Sequence, residues 1–296
     1  GGTGSAETKG FLTVEGIDVI ILYPSGKVSA LQEKQLTTLG GNITALEIQG
    51  SFDDCQLLVK TAFLDKSLLP KYRLSSANSI NIARLLPQSF YYVEAYKQAD
   101  GRPDIVFSVP SGNFGNLTAG LFAQKMGLPV KHFIASNNAN DSVYRYLKSG
   151  HFEAKETVPT ISNAMDVGNP SNFVRMLDLF QNSREEMAKY ITAFSFSDEQ
   201  TRQAMQKIFL EKSYVLDPHG AVAYLGWEEF IKQEKSSCYG IILETAHPAK
   251  FIDVVEDTLE VEVFLPDALK LLKDKEIRSV KLSKKYDEFY QFLKDR

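Results

Sequence analysis

A chain of 296 residues, 44% hydrophobic, 24% charged and 11% aromatic, is long enough for one large or two ordinary domains, and its composition excludes a collagen, a coiled coil and wholesale disorder. With 33 basic against 37 acidic side chains, the net charge of −4 gives no bulk electrostatic reason to bind nucleic acid or an anionic membrane. Cys55 and Cys238 form no CxxC pair and read as thiols of a reducing, cytoplasmic compartment, and no apolar run approaches the roughly 18 residues of a membrane span.

In chain order, Ile17 to Tyr23 is a continuous apolar run closed by Pro24-Ser25-Gly26, the pattern of a buried strand and turn. Ser29 opens a helix with Gln32 as capping partner, and Gly40-Gly41 stops it. Ile43 to Ile48 is a second strand. Ser51 caps a helix running to about Phe63, with Leu57, Leu58 and Phe63 on its apolar side, and a third helix spans about Ile80 to Lys97. Asp100-Gly101-Arg102-Pro103 is the best candidate boundary, dividing a smaller domain (1–99) from a larger one (100–296). Beyond it come a strand (Asp104 to Val109), a helix (about Leu117 to Met126), a strand (Val130 to Ala135) and a helix (Asp141 to Lys148). From Asn169 the chain reads as mostly helical, with Asp217-Pro218 as N-cap and first helical residue, and one late strand at Tyr239 to Leu243. Strands alternating with helices imply two three-layer α/β units with mainly parallel sheets.

Three segments carry candidate chemistry. The strand ending at Pro110 runs through Ser111-Gly112-Asn113-Phe114-Gly115-Asn116 into a helix. Two glycines allow close backbone approach, and the free N–H groups of a helix N-terminus suit a phosphate; an ordinary Gly-rich turn with an Asn cap reads equally well. Glu244-Thr245-Ala246-His247 follows the last strand, where polar groups of open α/β sheets face the ligand crevice. Thr245 is nearest the strand tip, and His247 reads more readily as a helix-start histidine than as a catalyst. In Ser75-Ser76-Ala77-Asn78-Ser79-Ile80-Asn81-Ile82-Ala83-Arg84, the spacing of Asn78, Asn81 and Arg84 puts amides and a guanidinium along one side of a helix start. That suits a phosphate or carboxylate, or a polar cap beside a surface Arg. The four histidines show no metal-ligand spacing, and Asp217-Pro218-His219-Gly220 reads as structural.

Taken together, SANSINIARLLPQ, SGNFGN, ASNNAND, DVGNPSNF, DPHGA and ETAHPAKF, in this order, resemble the threonine synthase family of fold type II pyridoxal-phosphate enzymes. The resemblance runs to about Phe251. It implies pyridoxal 5'-phosphate as cofactor, with its phosphate held by Gly112, Asn113, Phe114, Gly115 and Asn116 and its pyridine nitrogen by Thr245. It places the substrate phosphate near Asn78, Ser79, Asn81 and Arg84, and the substrate carboxylate near Thr3 and Gly4. The implied reaction converts O-phosphohomoserine and water to L-threonine and phosphate, in a monomer or homodimer without nucleic-acid, membrane or metal partners. The resemblance has one gap. The family's Schiff-base lysine lies in a Ser-Phe-Lys-Asp-like motif that is absent here, and Gly2 stands where the family usually has Asp. With Gly1 replacing an initiator Met, the expectation is a family architecture lacking its N-terminal part, and inactive alone. A serine or threonine dehydratase and a non-catalytic phosphometabolite-binding module are the alternatives.

Overall fold

A computed structural model describes residues 8–234, 236–272 and 274–296. Among these, the strands are β1 (Val19–Pro24), β2 (Ile43–Gln49), β3 (Ile105–Pro110), β4 (His132–Asn137), β5 (Ile191–Ser195), β6 (Tyr239–Ile242) and β7 (Val280–Ser283). The helices are α1 (Ala30–Thr37), α2 (Phe52–Leu64), α3 (Ile82–Gln98), α4 (Gly115–Lys125), α5 (Ser142–Ser149), α6 (Phe173–Leu179), α7 (Arg184–Ala188), α8 (Asp198–Lys212), α9 (Pro218–Gln233), α10 (Ile252–Leu259), α11 (Asp267–Lys270) and α12 (Tyr286–Asp295). The chain folds into two compact units, the first joining residues up to Asn78 with Phe264–Arg296, the second spanning Ser79–Val263.

The first unit is a parallel sheet in the order β1-β2-β7. Strand side chains alternate between faces. On one face Leu46 and Ile48 meet Cys55, Leu58 and Ala62 of α2 and Phe289 and Leu293 of α12; on the other, Tyr23 and Ala45 pack with Leu36 of α1. The α2 helix forms as the capping signal implies: Ser51 Oγ accepts the N–H of Asp54, whose carboxylate accepts the N–H of Ser51. Its buried side is the expected one at Leu58 only. Cys55, Leu58 and Ala62 face inward, whereas Leu57 is 63% exposed and Phe63 lies at the surface.

The second unit is a parallel sheet in the order β5-β4-β3-β6 with helices on both faces. On one side Phe107 and Phe133 pack with Tyr92 of α3 and Leu117 and Leu121 of α4. Tyr92 meets Phe107 edge-on with ring centroids 4.8 Å apart. On the other side Val106 and Ile134 pack against Phe230 of α9. The boundary expected at Asp100 is therefore displaced. Asp100, Gly101 and Asp104 adopt positive φ in a tight turn between α3 and β3, and α3 belongs to the second unit because Leu85 and Tyr92 are buried in its core. Two strands absent from the reading above, β5 and β7, are only five and four residues long.

Candidate active site

The strand order of the second unit locates the site. From β3 the chain steps outward to β4 and β5, then returns across the sheet to β6 on the other side of β3. The direction reverses between β3 and β6, and open α/β sheets bind ligands outside the carboxyl ends of the strands at such a switch point. Segment 111–116 leaves β3 there and Thr245 follows β6 there. The two strands are in register, Ser108 opposite Ile242, with the N–H of Leu243 bonded to the carbonyl of Ser108 at 3.0 Å.

The segment after β3 turns sharply. Phe114 sits in the left-handed region at φ 60° and precedes α4 with no side chain capping the helix. The N–H groups of Asn113, Phe114, Gly115, Asn116 and Leu117 find no acceptor among the described residues, although Phe114, Gly115 and Leu117 are buried. Buried N–H groups without partners are costly, and a row of them at the positive end of a helix dipole suits an anion.

The glycines serve the fold before they serve a ligand. A Cβ at Gly112 would stand 2.5 Å from Met165 Cα, and one at Gly115 would stand 2.9 Å from Ser79 Cβ. Both close approaches are to the protein's own chain, so packing alone already requires the absence of a side chain at both positions. The Asn113 side chain is also already committed: Nδ2 donates to Ser79 Oγ at 2.9 Å, and Oδ1 accepts from the N–H and Oγ of Ser171. Asn113 therefore has its backbone N–H, and not its side chain, left to offer an anion. The Asn116 side chain accepts from Tyr92 Oη at 2.9 Å, which ties the start of α4 to α3.

Met165 and Ser171 reach this segment on a long polar loop held by Asp166. The Asp166 carboxylate accepts from Asn138 Nδ2 at 2.9 Å, Asn140 Nδ2 at 3.1 Å, and Thr160 Oγ1 and N–H at 2.7 and 2.9 Å. Burial pushes Asp166 up to about 6 against the pull of those donors. The strings ASNNAND and DVGNPSNF, far apart in sequence, thus build one support for the loop.

Of the other expected residues, Ser79 is buried beside Asn113, and Asn81 caps α3 by accepting the N–H of Ala83 at 3.0 Å. Arg84 lies half-buried on the first turn of α3. Asn78 falls in the first unit, its N–H on Ser76 Oγ. Thr245 is exposed, and no hydrogen bond to its hydroxyl is made among the described residues. His247 caps a short turn by accepting the N–H of Ala249 at Nδ1, the helix-start role expected of it. Thr3 and Gly4, with Gly2, lie outside the described residues.

Sequence reasoning missed Glu244. Asp217 is the N-cap of α9 and holds His219 Nδ1 at 2.5 Å, while His219 Nε2 accepts the N–H of Ala164. Glu244 accepts the N–H of Asp217, and its carboxyl packs so closely on Gly220 that a Cβ there would stand 2.0 Å from Oε2 and push the carboxyl aside, although the residue as a whole is exposed. Burial of that carboxyl, then the bond and negative charge of Asp217, push Glu244 up to about 9. Burial alone would raise Asp217 as well, but hydrogen bonds from His219 and Glu244 outweigh it and keep Asp217 below its usual value. The two carboxyls share one proton, carried by Glu244, immediately before Thr245.

A family model described as pyridoxal-phosphate dependent enzyme matches residues 11–238, and one described as threonine synthase, C-terminal, matches residues 220–293. The threonine synthase of Buchnera aphidicola subsp. Schizaphis graminum is 45% identical over 298 residues, covering 100% of this chain and 68% of that protein. The chain belongs to the threonine synthases. The enzyme of Haemophilus influenzae is 50% identical, covering 91% of this chain and 63% of its own length, so the chain spans about two thirds of these relatives. Among solved structures, threonine synthase from Escherichia coli superposes with a TM-score of 0.93 at 44% identity, covering 99% of this chain and 68% of that one. The PLP-bound threonine synthase from Brucella melitensis gives 0.86 at 32%, covering 100% of this chain and 68% of that one. A tomato threonine deaminase, at 16% identity and a TM-score of 0.52, shares the fold alone. The family works with pyridoxal phosphate, and the residues present fit it: unpartnered N–H groups for the phosphate after β3, and a neutral hydroxyl at Thr245, three residues past the end of the neighbouring strand β6.

Proposed function

We propose that the protein to which this chain belongs converts O-phosphohomoserine and water to L-threonine and phosphate, and that the second unit binds the cofactor. The row of free N–H groups from Asn113 to Leu117 at the switch point carries this reading. When bound, pyridoxal phosphate withdraws electrons from the amino-acid carbons that must lose protons and the γ-phosphate. The chain's own residues anchor and tune it. The N–H groups of segment 113–117 hold the cofactor phosphate. Thr245 donates to the pyridine nitrogen, and because it is a neutral hydroxyl it leaves that nitrogen largely unprotonated. The polar start of α3, with Ser79, Asn81 and Arg84, receives the phosphate of the substrate.

These 296 residues contain no lysine in a Ser-Phe-Lys-Asp context, so the proposal assigns the Schiff-base lysine, and proton transfer at the substrate carbons, to residues outside them. A cytoplasmic monomer or homodimer acting on a small molecule belongs to the same reading. The described residues include no helix long and apolar enough to cross a membrane.

The test mixes the chain with pyridoxal phosphate and O-phosphohomoserine, follows cofactor absorbance, and measures released phosphate. Cofactor binding without turnover is the expected result. Robust turnover would overturn the assignment of the lysine, and absence of cofactor binding would overturn the placement of the phosphate site.

A further inference from the structure

Arg175 was singled out by no motif, yet it stands behind the phosphate segment. It lies half-buried on α6, one turn after Asn172. Its Nη1 donates to the carbonyl of Ser79 at 3.3 Å and to Asn172 Oδ1 at 2.6 Å, and its Nη2 donates to the carbonyl of Ile80 at 2.6 Å. All three acceptors are neutral. Among the described residues no carboxylate lies within ion-pair distance of it. A guanidinium keeps its proton in proteins, so a full positive charge is held partly out of water with only neutral partners among the described residues.

The bonds lead from that charge to the site. Asn172, bonded to Arg175 through its oxygen, donates through Nδ2 to the carbonyl of Asn113 at 2.9 Å. That carbonyl belongs to the peptide unit whose N–H is that of Phe114, one of the free donors. A peptide that accepts a strong bond at its oxygen is polarised and becomes a better donor at its nitrogen. Segment 111–117, Ser-Gly-Asn-Phe-Gly-Asn-Leu, contains no charged side chain, although a phosphate monoester carries nearly two negative charges at neutral pH. The same guanidinium donates to the carbonyl of Ser79 through Nη1 and to that of Ile80 through Nη2, so one cation also fixes the segment whose Ser79 hydroxyl is bonded to Asn113.

We propose that Arg175 is a positioning residue for the phosphate held by the loop after β3: through Asn172 and the Asn113–Phe114 peptide it orients the loop's donors and supplies the positive charge the loop lacks. This rests on the phosphate-site reading above and adds to it the source of charge complementarity.

The experiment compares pyridoxal phosphate, pyridoxal without the phosphate, and inorganic phosphate as ligands of the 296-residue chain. Absorbance follows the first two, and ³¹P NMR follows the phosphorus. Arg175→Gln is expected to weaken pyridoxal phosphate and inorganic phosphate by about tenfold or more, as for a lost charge-assisted contact, and to leave pyridoxal within about twofold. The ³¹P titration of bound pyridoxal phosphate should move to higher pH in the variant, because the dianion loses its cation. Should Arg175→Gln fail to fold, Asn172→Asp places a negative charge between Arg175 and the loop, and it must lose the same phosphate discrimination. Equal weakening of pyridoxal phosphate and pyridoxal would reduce Arg175 to scaffolding and overturn the proposal, as would no change in either ligand. If the unsubstituted chain binds pyridoxal phosphate no better than pyridoxal, the phosphate-site reading itself fails, visibly before any substitution is made.

Discussion

Glu244 and Asp217 show how one buried proton links pH to stability at the edge of the site. Glu244 ionises in the unfolded chain near the ordinary carboxylate value, but in the fold it keeps its proton to about 9. Between those values the native state holds one more proton than the unfolded state. This group's contribution to stability is therefore fully present below the ordinary value and declines with rising pH, by at most about 1.4 kcal/mol per pH unit. Asp217 runs the other way: held below its usual value, it adds stability above the unfolded pKa that is lost as pH falls through the folded one. Glu244→Gln keeps a donor toward Asp217 and removes the titration. Denaturant unfolding at pH 6 and pH 9 should show the unsubstituted chain losing stability relative to the variant, and parallel pH dependences would dismiss the shared proton. The sequence marked segment 111–116 as a candidate phosphate site, because glycines and a helix start are local signals. It did not show that Gly112 answers to Met165, Gly115 to Ser79, or the Asn113 amide to Ser171, because each of those partners lies more than 30 residues away.

At the scale of elements, helix starts were the most legible feature. Ser29, Ser51 and Asp217 each accept the expected N–H groups, since a cap acts within three residues. Apolar faces were less so: α2 turns Leu58 inward and Leu57 outward, a choice made by the sheet and α12. The α3–α4 packing offers a test in which propensity and sterics oppose each other. Gly120 lies in mid-α4, where alanine would favour the helix by about 1 kcal/mol. A Cβ there would meet Tyr92 Cζ at 2.6 Å and Phe133 Cε1 at 2.8 Å, and both rings are fully buried. Neither ring can retreat without disturbing Phe107, which packs on both. Gly120→Ala should therefore destabilise the second unit, by about 1–3 kcal/mol, the usual cost of overpacking a filled core. It should also loosen the Tyr92 Oη bond to Asn116 and so weaken pyridoxal phosphate binding. A raised melting temperature in calorimetry would show that propensity outweighs the clash.

Across the whole chain, the feature least visible in sequence is that the first unit is made of two distant stretches. Nothing local marks Val280–Ser283 as a partner of β2, for four residues carry little pattern and the pairing spans more than 200 positions. Placing everything after residue 99 in one domain followed the local turn signal and missed the return of the chain. The C-terminal stretch does more than extend the sheet. Phe289 and Leu293 are buried against Leu46, Ile48 and Leu58, with Leu282, Tyr286 and Tyr290 packed around them. Tyr72 Oη donates to the carbonyl of Leu293 at 2.7 Å, Tyr286 Oη to Asp65 at 2.8 Å, and Arg296 reaches both Thr44 and Asp18. At about 1.5–3 kcal/mol for each large apolar side chain fully buried, losing Phe289 and Leu293 alone removes roughly 3–6 kcal/mol, and the partly buried Leu282, Tyr286 and Tyr290 add to a loss comparable with the whole stability of a small domain. A chain ending at Val263 should accordingly lose the first unit while the second keeps its sheet, since no strand of the second sheet comes from the deleted stretch. Hydrogen exchange read by mass spectrometry should find residues 19–72 unprotected and β3, β4 and α4 still protected. The shortened chain should also keep its preference for pyridoxal phosphate over pyridoxal, because the free N–H groups and Arg175 both belong to the second unit. Collapse of protection in both units together would mean that they fold as one cooperative body, and the C-terminal return would then support the cofactor site as well as the first unit.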